Sequence, residues 1–373
     1  MIKAVRIRLL PTKEQETLMW QSVGVMRYIY NWTLNKQQEN YKNGGKFISD
    51  SILRKEITQL KKLDDYKWIG IASNDVAKQA CKDACDSYKK FFKRGYGFPK
   101  FKSRKKSKPS FYNDTFKLKI KENQVNLAKI GWVKTSEQIP MNCKYCNPRI
   151  TYDNKYWYIS VGIEIENINV KKTGESIGID LGVKELAVCS NGMTFKNINK
   201  SHKVKKLKKK LKRLQRQVSR KYEANKQGNK FVKTNNIIKL EKQIKLLHRK
   251  LSNIRLNHIH QATNKIVKTK PSRVVMEDLN VIGMMKNKHL SKAVAQQKFY
   301  EFRRQLEYKC KWNNIELRIV DRFFPSSKLC HECGCIKSDL KLSDRVYVCK
   351  ECGNIIDRDY NASINLSRYK LAN

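Results

Sequence analysis

Residues 330–362 read CHECGCIKSDLKLSDRVYVCKECGNIIDRDYNA. Two CxxC pairs, Cys330/Cys333 and Cys349/Cys352, are separated by fifteen residues, and each pair is followed by a glycine. Four thiolates at this spacing are typical of a zinc ribbon, in which they form a closed tetrahedral shell around Zn²⁺. Because a closed shell leaves no position for a substrate, we predict a structural rather than a catalytic zinc.

Three carboxylates at the edges of apolar segments form a second pattern: Asp180, Glu277 and Asp359. Such acids suit Mg²⁺, a hard cation that prefers oxygen ligands. Two divalent cations about 3.5–4 Å apart can activate a water and stabilise the leaving oxygen of a phosphodiester. Because 97 and 82 residues separate the acids, only a fold can bring them together.

Each acid also has a simpler interpretation. The segment Ile177–Gly182 resembles the phosphate-holding strand of actin-like ATPases, although no matching second glycine-rich loop is present. Glu277 and Asp278 are compatible with a helix cap at a strand end. Asp357 and Asp359 are compatible with ion pairs to nearby lysines.

The chain is strongly basic: its 373 residues include 80 Lys+Arg and 33 Asp+Glu, for a net charge of +47. An excess of this size indicates a polyanionic partner, above all nucleic acid bound through its backbone. The alternatives are a basic surface that only aids solubility and a lysine-rich genome.

Targeting signals and membrane spans are not predicted, because no stretch of 18 apolar residues exists and the first residues lack a signal-peptide core. We therefore expect a cytosolic protein with reduced thiols. Among its eleven cysteines, Cys143-x₂-Cys146 has no partner pair and is interpreted as a chance pair rather than a second metal site.

The first half predicts an α+β arrangement. A strand over 2–10 precedes a capping box, Thr12-x-x-Gln15, and a helix. A helix over 74–93 and a basic, aromatic stretch over 94–114 follow. That stretch predicts nucleic-acid contact or an ordinary loop. Short strands then predict a small antiparallel barrel that the N-terminal strand completes: 116–120, 125–128, 132–134, 149–152 and 156–163.

The second half predicts an α/β domain. A three-stranded meander over 176–195 leads into a basic helical hairpin over about 203–256. The hairpin contains only two acids, Glu223 and Glu241, which favours contact with a phosphate backbone over a merely solvated face. The remaining predicted elements are a strand over 273–279, a helix over 293–313, a strand over 315–320 and a helix from about 359.

Taken together, these motifs resemble the TnpB (OrfB) family encoded by insertion sequences, which are compact relatives of type V CRISPR effectors. The resemblance spans nearly the whole chain. It rests on these blocks: RLLPTKEQ (8–15), YNW (30–32), FPKFKS (98–103), GIDLG (178–182), EDL (277–279), FPSSK (324–328), the ribbon, and DRDYNA (357–362).

The resemblance implies a RuvC nuclease domain of RNase H-like fold, with Asp180, Glu277 and Asp359 as its catalytic, Mg²⁺-binding triad and Asp357 as the fallback for the third position. It also implies a protein that carries a guide RNA from the transposon end, reads a short target-adjacent motif and cleaves matching double-stranded DNA. We expect it to act as a monomer within the ribonucleoprotein, in the cytoplasm of a prokaryote and associated with the nucleoid.

The domain boundaries follow from the resemblance. They are a wedge β-barrel (1–10 and 115–172), a helical recognition domain (11–114), a RuvC-like domain (173–325 and 357–373) and a zinc ribbon (326–356). Because Asn and Gln can pair with adenine, Asn74, Lys78 and Gln79 are candidate motif readers. Ordinary phosphate contact or simple solvent exposure is the alternative for each of them. Lys100, Lys102 and Arg104 are further candidate nucleic-acid contacts.

Two rival functions remain at this point. Some relatives have lost the triad and act as guided repressors, but all three acids are present here. A resolvase or transposase that needs no RNA is the other alternative, and it accounts less well for a net charge of +47.

Overall fold

The computed structural model describes residues 1–93, 95–165, 171–341 and 343–369, and the chain divides into two units, Met1–Glu166 and Asn167–Asn373. The predicted α+β class is confirmed. Within the described ranges, no helix has the length and apolar character needed to cross a lipid bilayer.

The first unit combines three α-helices with one antiparallel sheet. The predicted capping box starts the first long helix, since Thr12 and Gln15 exchange side-chain to backbone hydrogen bonds of 3.3 and 3.1 Å. The helices are α1 (Lys13–Lys42), α2 (Asp50–Leu60) and α3 (Asn74–Phe92), with a 3₁₀ helix at Asp64–Ile71. The strands are β1 (Ile2–Leu10), β2 (Ser110–Tyr112), β3 (Lys119–Lys121), β4 (Gln124–Leu127), β5 (Gly131–Thr135), β6 (Tyr145–Tyr152) and β7 (Trp157–Glu164).

The sheet order is β2-β6-β7-β1-β5-β4-β3, so the N-terminal strand joins the other strands of this unit and lies between β7 and β5. It pairs with β7 from Ile2↔Glu164 to Leu9↔Trp157. Buried side chains of the helices and the sheet belong to one hydrophobic core. The predicted strand start at Phe116 is wrong: that ring is 97% exposed, because its N–H is held in a turn by Asp114 Oδ1.

The second unit contains a five-stranded mixed sheet with helices against it. The strands of the whole second unit are β8 (Ser176–Leu181), β9 (Glu185–Cys189), β10 (Thr194–Lys196), β11 (Lys226–Gln227), β12 (Lys230–Phe231), β13 (Arg273–Glu277), β14 (Glu316–Val320), β15 (Val346–Val348) and β16 (Ile355–Asp357). Its helices are α4 (His202–Ala224), α5 (Asn235–Lys268), α6 (Val281–Lys286), α7 (Ser291–Gln297), α8 (Phe299–Trp312) and α9 (Arg358–Ser367).

The main sheet has the order β10-β9-β8-β13-β14. The predicted meander β8–β10 is antiparallel, whereas β13 runs parallel to both β8 and β14. The predicted helical hairpin is α4 and α5, joined at the tip by β11 and β12. Leu214, Leu247 and Leu251 are buried on these two helices.

The single helix expected over 293–313 is instead two helices. Lys298 separates α7 from α8 in a left-handed conformation, with φ 57°. The break is held by tertiary hydrogen bonds, because Gln297 Nε2 donates to Gly182 O (3.0 Å) and Lys298 Nζ donates to Ser252 Oγ (3.0 Å).

Candidate active site and metal centre

Asp180 and Glu277 lie side by side at one edge of the main sheet. β8 and β13 are parallel, with Ile179 opposite Met276, so the next residues of the two strands are the two acids. Neighbouring strands are about 4.8 Å apart. Ligands of open α/β sheets bind at the carboxyl ends of the strands, which is where both carboxylates lie.

Asp359 reaches this edge because α9 packs directly on β8. A side chain at Gly178 would overlap the backbone of Ser363 and Ser367, so only glycine allows this approach. Tyr360 adds a hydrogen bond from its hydroxyl to Ser190 O at 3.3 Å. Since Asp359 lies in the first turn of α9, the helix carries the third acid towards the two strand ends.

The three acids lie within electrostatic range of one another. Burial raises the pKa of Asp180 well above its usual value, and the negative charges of Glu277 and Asp359 raise it further, against the opposing effect of Arg358. Burial also raises the pKa of Glu277, although a hydrogen bond from Ser326 opposes this change. Such mutual repulsion between carboxylates is relieved by a cation.

Asp359 is paired with two arginines. Its Oδ1 accepts from Arg358 Nε at 3.2 Å and from Arg358 Nη2 at 3.0 Å, and Arg345 Nη1 lies 3.8 Å from Oδ2. Among the described residues, the three acids do not form a group with all ligand oxygens within 4.8 Å of one another. A shared cation therefore requires a change of side-chain rotamer.

Asp357 has a separate structural role. Its Oδ1 accepts hydrogen bonds of 3.0 Å from the backbone N–H groups of Asp359 and Tyr360. It is thus the N-cap of α9, the position at which a carboxylate satisfies otherwise unpaired backbone donors. The same residue ends β16, so the helix follows the ribbon hairpin without a linker.

The four ribbon cysteines form a site suited to zinc. Their sulfur atoms all lie within 4.8 Å of one another, with 3.6 Å between Cys330 and Cys352 and 3.5 Å between Cys333 and Cys349. Tetrahedral Zn–S bonds of about 2.3 Å imply S···S distances near 3.8 Å. Although burial opposes the change, backbone hydrogen bonds from Cys333 and Glu332 lower the pKa of Cys330 to about 6, which favours the thiolate.

The ribbon and α9 are fastened together by asparagines. Asn361 Nδ2 and Asn365 Nδ2 each donate to Leu329 O at 2.7 Å, and Asn361 Oδ1 accepts from the backbone N–H of His331 at 3.1 Å. Both asparagines are buried. The position of Asp359 is therefore coupled to the fold of the ribbon.

A cavity of about 370 Å³ lies beside Glu277. Its lining includes Arg303 and Arg322, and both guanidinium groups bind Asp278, at 2.9 and 2.6 Å. Sequence reasoning missed these arginines, as well as Arg345 and Ser326. Only the FPSSK block at 324–328 was a signal, since it contains Ser326.

The candidate nucleic-acid contacts are in different environments. Asn74 Oδ1 accepts from Lys61 Nζ at 2.8 Å, and Gln79 Nε2 donates to Asp83 Oδ1 at 2.8 Å. The ammonium of Lys102 lies 3.8 Å from the ring centroid of Tyr30, and burial lowers its pKa. Lys78, Lys100 and Arg104 are exposed. The nucleic-acid role of all six residues stays a prediction.

Three family models match parts of the chain. The profile described as "Probable transposase" (OrfB_IS605) matches residues 159–288, "Helix-turn-helix domain" (HTH_OrfB_IS605) matches 1–46, and "Cas12f1-like, TNB domain" matches 299–366. Over residues 1–46, the structure has one strand and one long helix, β1 and α1, rather than the two helices of a helix-turn-helix.

Curated relatives match along nearly the full length. "Putative RNA-guided DNA endonuclease InsQ" of Escherichia coli (strain K12) is 29% identical, covering 98% of this chain and 91% of the relative. "Putative RNA-guided DNA endonuclease" of Streptomyces pristinaespiralis is also 29% identical, covering 99% and 90%. The fold is similar to that of the protein chain in a cryo-EM structure of a Cas12f1–sgRNA–target DNA complex. The TM-score is 0.61 at 13% identity, over 98% of both chains.

Proposed function

Because this chain belongs to the TnpB (OrfB) family, we propose that it is an RNA-guided DNA endonuclease. It holds a guide RNA derived from the transposon end, recognises a short target-adjacent motif and cleaves guide-matched DNA. The observation that carries the nuclease assignment is the placement of Asp180 and Glu277 at adjacent strand ends, with the helix of Asp359 packed on the first strand.

The donor set fits Mg²⁺. Asp180 and Glu277 lie at one sheet edge and Asp359 lies on the helix packed against it, and the raised pKa values of Asp180 and Glu277 reflect desolvated negative charge that a hard cation would neutralise. Asp180, Glu277 and Asp359 would hold two ions. When bound, two such ions supply an activated water and stabilise the leaving oxygen of a phosphodiester.

The chain's own residues position this chemistry. Ser326 donates a hydrogen bond to Glu277 Oε1 and so fixes the rotamer of that acid. Arg303 and Arg322 are held at the neighbouring cavity by Asp278. An arginine has five N–H donors, so both side chains keep donors free to bind the phosphates of a DNA strand lying in the cavity.

The basic hairpin α4–α5 supports a nucleic-acid partner as well. Of its two acids, Glu241 is already engaged, since it accepts from Tyr222 and pairs with Lys233. Most of its lysines and arginines are exposed, and the hairpin has few acids to neutralise them. Their arrangement suits a phosphate backbone, which the protein binds without reading sequence while base pairing with the guide selects the target.

The finer assignments are part of the same proposal. They comprise a structural Zn²⁺ on the four cysteines, the wedge, recognition, RuvC-like and ribbon domains with the boundaries given above, and a monomeric protein in the ribonucleoprotein. The sulfur geometry supports the zinc assignment, and the mixed five-stranded sheet supports the nuclease domain.

Purification with its bound RNA tests the proposal. The RNA is sequenced, a duplex matching its guide segment is synthesised, and cleavage is measured with Mg²⁺ and with EDTA. We expect cleavage of the matched duplex only with Mg²⁺, and its loss in Asp180→Asn with RNA binding retained. Asp339→Asn, which changes an exposed acid of the ribbon, serves as the matched control and should cleave normally.

Two outcomes contradict the proposal. Binding of matched DNA without cleavage under all divalent cations points to a guided regulator. Cleavage that survives ribonuclease treatment during purification points to an RNA-independent resolvase or transposase.

A further inference from the structure

An open groove of about 550 Å³ crosses α1 in the first unit. Its lining combines a glycine, an arginine, an asparagine and aromatic rings: Gly24, Arg27, Tyr28, Asn31, Trp68 and Phe101. These residues come from α1, the 3₁₀ helix and the basic stretch after α3. None of the residues that line it is acidic.

Gly24 lies in the interior of a 30-residue helix, where glycine costs about 1 kcal/mol relative to alanine. The described part of the protein gives no reason for this cost, because beyond the adjacent backbone of the helix none of its atoms lies within 4 Å of the position that a Cβ would take. A glycine with open space above it permits something outside the chain to approach the helix backbone closely.

Arg27 lies one turn further along the same face of α1 and is partly buried. Within the described residues, its guanidinium has neither an ion-pair nor a hydrogen-bond partner. A half-buried arginine without a carboxylate is a ready ligand for an anion, above all a phosphate, which its planar fork can bind with two hydrogen bonds.

The aromatic rings form an exposed platform beside this arginine. Trp68 is 39% and Phe101 is 51% exposed. Tyr28 packs edge-on against Trp68 at 5.1 Å and so holds the indole in place. Exposed planar rings next to an unpaired cation are the combination with which proteins bind unstacked nucleotides.

Asn31 makes the platform rigid. Its Nδ2 donates to Lys102 O at 2.9 Å, and its Oδ1 accepts from the Lys102 N–H at 2.8 Å. This pair of hydrogen bonds fastens the stretch that carries Phe101 to α1. The groove is therefore formed before any ligand arrives, which lowers the entropic cost of binding.

We propose that this groove binds an unpaired nucleotide of the guide RNA. Arg27 binds its phosphate, Trp68 and Phe101 stack on its base, and the sugar–phosphate backbone passes over Gly24. The inference rests on the proposed function for the identity of the RNA. The groove itself is argued from its own residues, so it can be tested without any cleavage.

Variants at Gly24 provide the sharpest test. Gly24→Ala and Gly24→Leu should keep or raise the thermal unfolding temperature, because both residues favour a helix more than glycine does. Gly24→Leu fills the groove, so it should weaken binding of a fluorescein-labelled single-stranded uridine 20-mer RNA about tenfold, the loss expected for one stacked base. Anisotropy in EDTA measures this affinity without DNA cleavage.

Two further variants assign the roles. Arg27→Gln should reduce the slope of log affinity against log salt by about 0.7, the value for one phosphate contact to a single strand. Phe101→Ala should weaken binding, whereas Phe116→Ala removes an almost fully exposed ring outside the groove and should not. RNA substituted with 5-iodouridine should cross-link to the peptide containing Trp68 or Phe101 in the wild type and not in Gly24→Leu.

The result is decided by comparing RNA with DNA. The affinity for a fluorescein-labelled single-stranded thymidine 20-mer DNA is measured in the same way. Unchanged RNA affinity and cross-linking in Gly24→Leu overturn the proposal, and so does a loss of affinity confined to this DNA, which would make DNA the occupant. If the wild type fails to cleave DNA while Gly24→Leu loses the RNA cross-link, the proposed function fails and the groove stands.

Discussion

Asp357 caps the helix on which Asp359 stands: its Oδ1 accepts the backbone N–H of Asp359 at 3.0 Å. The two acids of the Asp-Arg-Asp segment thus have different environments. Asp357 holds the helix terminus, and Asp359 lies in the first turn. Both carboxylates raise the pKa of Asp180, and Asp359 has the larger effect.

The two roles predict opposite results for amide substitutions. Asp357→Asn retains an N-cap oxygen and should keep most of the cleavage rate, whereas Asp357→Ala should lower the free energy of unfolding by about 1 kcal/mol. Asp359→Asn should abolish cleavage with little change in stability. Chemical denaturation and single-turnover cleavage measure the two effects. Equal loss of cleavage in Asp357→Asn and Asp359→Asn would show that both acids serve the reaction.

The close approach of β8 and α9 predicts a severe effect of Gly178→Ala. The new methyl group would overlap the backbone of Ser363 and Ser367, so the helix must move and Asp359 with it. Overpacking of this kind costs about 3 kcal/mol, and cleavage should fall with stability. Gly97→Ala, at a site with no atom within 4 Å, is the control. Wild-type stability in Gly178→Ala would contradict the packing described.

The raised pKa of Asp180 predicts a pH effect in protein free of metal. The folded state holds the proton more tightly than the unfolded state, so the contribution of this group to stability is present near pH 4 and is lost as pH rises through the folded pKa. Asp180→Asn should therefore unfold at a higher temperature than the wild type at pH 7.5, with a difference that shrinks towards pH 4. Differential scanning calorimetry in EDTA checks this prediction. A wild type that is more stable than Asp180→Asn at pH 7.5 would refute it.

Loss of zinc should displace Asp359 through the hairpin formed by β15 and β16, and so slow cleavage. Cys349→Ser should abolish zinc content, measured by atomic emission, and slow cleavage, because β15 pairs with β16 up to Asp357 and Arg345 contacts Asp359. Cys335→Ser changes a ribbon cysteine outside the four-sulfur group and should retain both zinc and activity. If zinc is lost while cleavage is unchanged, the ribbon does not support Asp359.

The lowered pKa of Lys309 predicts a second effect of pH on stability, opposite in sign to that of Asp180. It is 8% exposed, its ammonium donates to His260 O and Thr263 Oγ1, and burial lowers its pKa to about 8. The unfolded state, with a pKa of about 10.4, binds the proton more tightly, so this group makes stability rise with pH between about 8 and 10.4.

The comparison with Lys309→Met isolates that effect. The free energy of unfolding of the wild type should increase relative to the variant as pH rises from 8 to 10.4, as measured by urea denaturation. Lys311→Met, on the exposed side of the same helix, should follow the wild type. Parallel pH profiles of the wild type and Lys309→Met would contradict the lowered pKa.

The sequence predicted much of the site because each acid follows a recognisable local pattern. Apolar runs before Asp180 and Glu277 indicated buried strands, and the spacing of the four cysteines indicated a tetrahedral metal site. The parallel register that places the two acids together is a tertiary property. It depends on which strands pair, and local periodicity does not determine this.

Other features had no local signal. The break at Lys298 is imposed by Gln297, whose side chain binds the loop after β8, whereas the apolar spacing continues through Phe299. The groove on α1 joins Gly24, Trp68 and Phe101, which are far apart in the chain. The arginines beside Glu277 and Asp359 were indistinguishable from the other basic residues until the fold placed them.

The tip of the α4–α5 hairpin has a consequence for engineering and for evolution. Residues 226–233 are all exposed, and Gly228 turns the chain with a φ of 55° between the two short strands. Such tips tolerate inserted domains because no buried group is disturbed. A reporter or an effector enzyme could be grafted at this point while both cores keep their packing, and natural lineages can enlarge the protein here at little structural cost.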